Sequence, residues 1–359
     1  MFDTKSGLAV AALAVCAPLL LASAPALDDL SFAPARGSAV SKTFTNVFQF
    51  SMDDMTMLMN GEENPMMPTM EMEMTISSEV QVEDTYGDVE GGRVQRLTRR
   101  YERIGQDIEV DTVTESMGQT ERDSVSGTGT SELEGRDVVF TWDAAAGAHA
   151  TAFAEGTQAD EALLEGLVED MSLRCLLPRG PVAVGDEWEI PLESLVDVLA
   201  PGGDLHFDIE MDGQAAMQGP DPTMMADMRE MFGDMLEGEA LGRYAGTREV
   251  DGARLAVIEV AIELDTSKDM SELLEQMMGE TAPENMEMSL DRVDVEFALK
   301  SKGELLWDLD RHHVHSLQLE GESAIAMDMV VSMDFGGNAM TLEMSMEMSG
   351  TVSNSVETK

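Results

Sequence analysis

Basic residues are scarce in this chain of 359 residues, in which 22 Lys and Arg stand against 70 Asp and Glu. The formal net charge is -48 at pH 7. Proteins that bind nucleic acid need a positively charged face to neutralise phosphates, and attachment to anionic lipid needs the same sign of charge. The composition therefore excludes nucleic acid as a partner and disfavours direct attachment to anionic membranes.

Cysteine is equally scarce, because the chain carries only Cys16 and Cys175. Cys16 lies in an apolar N-terminal run that follows Lys5 and ends in small residues. This pattern predicts a signal peptide over residues 1–26 and export to the periplasm or cell envelope, with secretion as a variant of that route. A lipid anchor on Cys16 is the alternative. After cleavage Cys175 stands alone, so no internal disulfide can form, and no later stretch is apolar enough to be a transmembrane segment.

Catalytic signatures are absent as well. The sequence contains no Gly-x-Ser-x-Gly, P-loop, His-Glu-x-x-His, paired-cysteine or dinucleotide-binding motif. The cluster His312–His315 lacks a fourth metal ligand, and we interpret it as an exposed hairpin tip. A calcium-loop pattern that begins at Asp208 fails at its twelfth position, which is Gly219 instead of Glu. We therefore expect no enzymatic activity and no cofactor, and we assign no catalytic or metal-binding residue.

Alternation of apolar and polar residues dominates what the chain does contain. From residue 70 to residue 82 every second residue is apolar or small, which predicts a strand with one buried and one solvated face. Thr43–Met59 alternates in the same way, but the apolar parity switches at Asp53 and Asp54, which predicts a bulge. The loop between them contains Gly, Asn and two Pro, so the two strands form a predicted hairpin.

Predicted strands outnumber predicted helices, and neighbouring strands follow one another after short turns, which favours an α+β fold. Helical spacing of apolar residues predicts helices near 161–173, 222–237 and 269–279, whereas the polar residues 121–134 indicate a loop. Because apolar helix faces and sheet faces must cover each other, we expect a strongly curved antiparallel β-sheet with the helices packed on its concave side.

The pair Gly202-Gly203 marks the predicted boundary within the chain. It divides an N-terminal β-rich half, residues 27–202, from a C-terminal β-rich half, residues 203–359. A Trp-Asp pair recurs at Trp142 and Trp307, and each is followed at the same spacing by Glu-Gly. One matched hairpin leaves open whether the two halves are related by duplication.

The segment Pro181–Trp188, Pro-Val-Ala-Val-Gly-Asp-Glu-Trp, resembles one shared by a loose group of bacterial exported proteins of unknown function. Met-rich strands after a signal peptide and a C-terminal series of strands extend the resemblance over most of the chain. It implies an exported β-rich domain and carries no catalytic residues across. Some members look similar to the lipoprotein-carrier fold, in which a curved sheet wraps helices around a lipid-binding cavity, and this analogy concerns the fold alone.

Methionine is the most unusual residue, with 31 copies spread over predicted strands and helices. The simplest interpretation is a core built from Met in place of Leu or Ile. Surfaces lined with Met also adapt to varied apolar partners. The leading functional hypothesis is therefore that an apolar ligand such as lipid binds in a Met-rich concavity. The residues predicted to line it are Met72, Met74, Met228, Met344 and Met346.

Two other functions stay open. Soft thioethers select Cu(I) and Ag(I), so the Met-x-Met strands Met70–Met74 and Met344–Met348 predict binding of such ions. The acidity predicts either a surface or matrix protein that binds Ca²⁺, or simply a solvated surface suited to a salty environment. Metal content and Ca²⁺-dependent assembly distinguish these functions from lipid binding.

Overall fold

A computed structural model describes residues 27–63, 69–116, 119–212, 236–271, 287–334 and 339–359. The predicted signal peptide, Met228 and most of the predicted helices near 222–237 and 269–279 lie outside these residues. The strands are β1 (Ala39–Met59), β2 (Glu62–Glu63), β3 (Thr69–Tyr86), β4 (Val89–Glu90), β5 (Arg93–Val94), β6 (Arg96–Ser116), β7 (Gln119–Ser131), β8 (Asp137–Asp143), β9 (Ala148–Phe153), β10 (Glu187–Glu189), β11 (Phe207–Met211), β12 (Gly238–Val250), β13 (Ala253–Asp269), β14 (Glu287–Asp308), β15 (His313–Asp334) and β16 (Ala339–Thr358).

Fourteen of these strands form one antiparallel sheet. Its order is β10-β12-β13-β14-β15-β16-β1-β3-β6-β7-β11, with β2 attached to β1 and the hairpin β8–β9 attached to β6. The sheet is open, because β10 and β11 end the order, and β4 and β5 form a separate pair. The predicted antiparallel, β-rich character of the fold is confirmed.

The predicted boundary at Gly202-Gly203 falls between strands that share this sheet. β10 precedes the boundary but pairs with β12, and β11 follows it but pairs with β7. At the centre, the first long strand β1 pairs with the last strand β16. The N-terminal half thus contributes edge strand β10 next to β12 of the C-terminal half. The C-terminal half contributes edge strand β11 next to β7 of the N-terminal half.

The predicted hairpin and its bulge are both present. β1 and β3 pair in antiparallel register, with Phe44 opposite Val80 and Phe48 opposite Ile76. The register between β1 and β16 shifts between Met52 and Asp54, which is the predicted bulge. The shift returns the later methionines of β1 to the face that carries Phe44.

The loop predicted for residues 121–134 is wrong, because most of it belongs to β7. β7 lies near one edge of the sheet, and residues 119–126 are mostly exposed on both faces. Its backbone pairs with β6 along the whole strand. A strand that is solvated on both faces needs no apolar alternation, so the sequence carried no signal for it.

The helix predicted near 161–173 is also wrong. The structure has 3-10 turns at Glu161–Leu164 and Arg174–Leu176, and further along the chain a turn at Leu192–Ser194 and the short helix α1 (Leu195–Leu199). The carbonyl groups of Val168, Glu169 and Met171 accept hydrogen bonds from arginine and lysine side chains of the sheet. These bonds replace the helical ladder, and Gly166 and Leu173 adopt positive φ angles of 72° and 56°.

One face of the sheet, here called the packed face, carries the main core. Residues 154–206, here called the crossing segment, lie against this face between β9 and β11. Asn46 of β1 donates to the Leu199 carbonyl, and Ser131 of β7 donates to the Leu205 carbonyl. The crossing segment buries its own apolar side chains in the same core, among them Met171, Leu176, Ile190, Leu195, Val198 and Leu205.

Two glycines mark points where neighbouring strands approach closely. An added Cβ at Gly303 in β14 would lie 1.8 Å from the Gln318 carbonyl oxygen on β15. An added Cβ at Gly350 in β16 would lie 2.1 Å from the Gln49 carbonyl oxygen on β1. Only a residue without a side chain permits such an approach, so both positions require glycine.

We predict that Gly303→Ala lowers the free energy of unfolding by about 2 kcal/mol, because the strands must separate to admit the methyl group. Gly105→Ala is the matched control, since Gly105 lies within β6 and an added Cβ there meets nothing within 4 Å. Urea unfolding followed by tryptophan fluorescence measures both. Equal effects of the two substitutions would contradict the close approach at Gly303.

Candidate functional site

The packed face continues beyond the crossing segment into a surface dominated by methionine, here called the methionine zone. Its strands are β1, β3, β15 and β16, and alternation along each strand brings every second side chain to this face. The cross-strand pairs Phe50 with Met74 and Met52 with Met348 fix the shared face. The zone contains Met52, Met55, Met57, Met59, Met70, Met72, Met74, Met327, Met329, Met333, Met340, Met344, Met346 and Met348.

The predicted lining residues fall on two strands of this zone. Met72 and Met74 lie on β3, and Met344 and Met346 lie on β16, all half-buried on the same face. β1 lies between β3 and β16, so the two predicted pairs are not adjacent. Met228 lies outside the described residues. The structure thus places four of the five residues on one surface but not in mutual contact across neighbouring strands.

Sequence reasoning missed the methionines that do lie next to Met344 and Met346. Met346 stands opposite Met55 of β1 and Met327 of β15. Met344 stands opposite Met57 and Met329 of the same two strands. These partners share the Met-x-Met spacing with β16, but the sequence does not reveal which strands pair. The two rows of three methionines follow from register alone.

A small second core supports one side of the zone. Leu290, Val293 and Val331 are buried together, apart from the main core. Met327, Met329 and Met333 pack against this cluster while remaining half-buried. These methionines of the zone therefore pack against a buried apolar cluster and remain partly exposed.

Carboxylates point away from the zone. Alternation along β3 places Glu71 and Glu73 on the opposite, open face, and alternation along β16 does the same for Glu343 and Glu347. Burying charge against an apolar surface is costly, so this segregation keeps the packed face free of these four charges.

A buried ion network ties the crossing segment to the sheet. Lys42 Nζ donates to Asp84 Oδ2 at 2.7 Å and to the Tyr86 hydroxyl at 2.7 Å. Arg99 donates to both carboxylate oxygens of Asp84, at 2.8 and 3.0 Å. The side chains of Lys42, Asp84 and Arg99 have no solvent exposure. One buried carboxylate therefore holds two buried cations.

The crossing segment completes this network with backbone acceptors. Lys42 donates to the Met171 carbonyl at 3.0 Å, and Arg99 donates to the carbonyls of Val168 and Glu169 at 3.0 and 2.9 Å. Without these acceptors several N–H groups of the two buried cations would lack hydrogen-bond partners. The network thus joins β1, β3 and β6 to the backbone of the crossing segment.

The ionisation of Asp84 reflects this environment. Burial alone would raise the pKa of its carboxyl, but Arg99 and Lys42 outweigh burial and lower the pKa to about 2. The pKa of Lys42 is raised, because the attraction of Asp84 exceeds the opposing effect of burial. Both groups therefore stay charged near neutral pH.

A second charged cluster lies where the crossing segment meets β9. Glu169 contacts the guanidinium of Arg174, and His149 Nδ1 lies 3.8 Å from Glu169 Oε2. Arg174 also pairs with Asp170 at 3.0 Å. Burial raises the pKa of Glu169 despite the opposing charge of Arg174. Among 70 acidic residues nothing in the sequence singles out this carboxylate.

The segment Pro181–Trp188, which carries the resemblance, has a structural role. Val182 bridges to Asp28, and the Asp186 carboxylate accepts a hydrogen bond from the Ala183 amide at 2.8 Å. Trp188 lies against Gly242 of β12, where an added Cβ would be 2.5 Å from the indole. The segment ends in edge strand β10, which pairs with β12.

A cleft of about 810 Å³ lies between the crossing segment and β12. Trp188 and Leu192 line it together with Arg179 and Glu193, so its walls mix apolar and charged groups. Cys175 lies in the same cleft, where burial raises the pKa of its thiol and opposes thiolate formation. This lining contrasts with the methionine zone, whose surface is apolar.

The histidine cluster lies at the hairpin between β14 and β15. The prediction of an exposed tip is wrong for His313, which is buried with Nδ1 2.6 Å from the Val314 carbonyl. The register shifts between Leu306 and Trp307, so that His313 stands opposite Asp308, which is also buried. Across the described ranges, no group of three or more His, Cys, Asp or Glu side chains is placed to hold a metal ion.

Comparison with known proteins gives no assignment. The chain matches no protein-family model, and no curated protein matches it significantly. The resemblance of Pro181–Trp188 to exported bacterial proteins stays a prediction. No helix in the part of the chain that the structure describes is long and apolar enough to span a bilayer.

We predict that the buried network makes stability depend on acid pH. A carboxyl whose pKa is lower in the folded chain contributes stability above its ordinary pKa of 3.8 and loses it as pH falls through about 2. Asp84→Asn should cost about 3–5 kcal/mol at neutral pH, because Lys42 and Arg99 remain buried.

The difference in free energy of unfolding between wild type and Asp84→Asn should then shrink by about 2 kcal/mol as pH falls from near 4 to near 2. Urea titrations of both proteins across this range measure the change. Comparing the two proteins cancels the general effect of protonating the acidic surface. A difference that is independent of pH would show that Asp84 is not an ionised partner.

Proposed function

We propose that this protein is an exported, non-enzymatic binding protein that holds an apolar ligand such as a lipid against the methionine zone. The observation that carries the proposal is the division of the packed face. The crossing segment packs against one part. In the other part the methionines of β1 and β3 are half-buried, and Met348 of β16 is buried. A partly exposed apolar surface shared by several strands of an acidic chain favours a binding surface.

The chemistry of the zone favours a ligand of variable shape. Methionine is unbranched and polarisable, and it repacks around apolar partners more readily than Leu or Ile. The four nearby glutamates of β3 and β16 point to the other face, so an acyl chain would meet thioether and aliphatic groups. Binding would be driven by removal of apolar area from water.

The proposal includes the finer architecture expected from the sequence. We take the sheet to be strongly curved, with the helices predicted near 222–237 and 269–279 on its concave side. The close strand approaches at Gly303 and Gly350 support curvature. β11 and β12 lie on opposite sides of the sheet, and residues 222–237 belong to the connection between them. The ligand would bind on the same face.

We predict that the double substitution Met74→Glu, Met346→Glu weakens binding of the neutral fluorescent probe N-phenyl-1-naphthylamine by about tenfold or more. The physical reason is that the probe must desolvate the new carboxylates, at a cost of a few kcal/mol. Fluorescence titration measures the dissociation constant, and circular dichroism verifies the fold.

The matched control is Thr75→Glu, Ser345→Glu. It adds the same two charges at the neighbouring positions, which face the opposite side of the same strands. This control should bind the probe like the wild type. Unchanged binding by the Met74, Met346 variant would overturn the proposed site, and equal loss in both variants would show a nonspecific effect of charge.

A further inference from the structure

Register concentrates six methionines of the zone in two short rows across three neighbouring strands. The first row is Met327, Met346 and Met55, and the second row is Met329, Met344 and Met57. All six side chains are half-buried on the packed face. The dispersal of methionine along the sequence hides this grouping.

The spacing within a row suits shared coordination of one ion. Side chains directly opposite on neighbouring strands have Cβ atoms about 5 Å apart, whereas successive side chains on one face of a strand are about 7 Å apart. Methionine has three rotatable bonds before its terminal methyl group, so the outer two thioethers of a row can lean toward the central one. Three sulfurs can therefore converge above each central methionine.

The surroundings of the rows define which ion would bind. The side chains that continue the rows on β14 are Val293 opposite Met329 and Val295 opposite Met327, and both are apolar. Across the described ranges no cluster of His, Cys, Asp or Glu is placed to hold a metal ion. Hard ions such as Ca²⁺ need oxygen ligands, and Zn²⁺ needs imidazole or thiolate. Thioethers alone favour soft monovalent ions.

We propose that each row is a three-thioether site for a soft monovalent metal ion, Cu(I) or Ag(I). The sites share the methionine zone with the apolar ligand but depend on sulfur, whereas ligand binding depends on apolar surface. The rows differ from the predicted Met70–Met74 arrangement, whose three methionines follow one another along β3 and stand opposite other residue types on β6, namely Thr114, Thr112 and Val110.

The test uses Ag(I), which does not change oxidation state, added as silver nitrate to the purified protein in chloride-free buffer. Native mass spectrometry counts bound ions, and isothermal titration calorimetry measures affinity. The variant Met57→Leu, Met329→Leu, Met344→Leu removes the sulfurs of one row and keeps the apolar volume nearly constant. The control Met70→Leu, Met72→Leu, Met74→Leu removes the same number of sulfurs from β3.

We expect the row variant to bind one Ag(I) ion fewer than wild type and the control to bind as many as wild type. Substituting all six row methionines should remove both ions. In wild-type protein labelled at the methionine methyl carbons, Ag(I) should shift the NMR signals of the row methionines. These are the signals that disappear when the row methionines are replaced by Leu. Equal losses in row variant and control, or no loss in the row variant, would overturn the sites.

The same variants separate this inference from the proposed function. All Leu variants should weaken binding of N-phenyl-1-naphthylamine far less than Met74→Glu, Met346→Glu does, because Leu keeps the surface apolar. Silver lost with probe binding retained supports the rows as metal sites. If the row variant binds as many Ag(I) ions as wild type, the proposed metal sites are wrong, whatever the probe result. If Met74→Glu, Met346→Glu binds the probe like wild type, only the apolar-ligand site is wrong.

Discussion

The pairing of β1 with both β3 and β16 is the constraint on which the rest of the structure depends. It joins the first long strand to the last, so the two halves of the chain form one sheet. The bulge at Asp53 sits inside this pairing and keeps Met55 and Met57 on the packed face. Without that one extra residue these methionines would turn toward the open face, and neither row could form.

The Asp84 network holds the crossing segment on the packed face, at the ends of β1 and β3 that lie far from the methionine zone. Its two cations need more acceptors than one carboxylate supplies, and the crossing segment supplies them as backbone carbonyls. This requirement holds residues 168–171 in an irregular conformation against the sheet. The crossing segment is therefore held by buried charge, whereas the methionine zone is apolar and packs beside the small core around Val293.

Patterns that depend on neighbouring residues were readable from the sequence, and patterns that depend on distant ones were not. The alternation in β3 and the parity switch at Asp53 predicted strand, face and bulge correctly, because both are local consequences of the pleat. Met72, Met74, Met344 and Met346 were placed on one face for the same reason. The partners Met55 and Met327 were missed, since they require the strand order. The helix near 161–173 failed because Lys42 and Arg99, far away in sequence, bind its carbonyls.

Native mass spectrometry of the protein purified from its own host without denaturant tests the central claim most directly, namely that the methionine zone holds an apolar ligand. The account predicts a reproducible mass above that of the polypeptide, which organic solvent extracts as a lipid or similar apolar molecule. A bare polypeptide mass, from protein that is folded and monodisperse, would contradict tight apolar-ligand binding at the methionine zone.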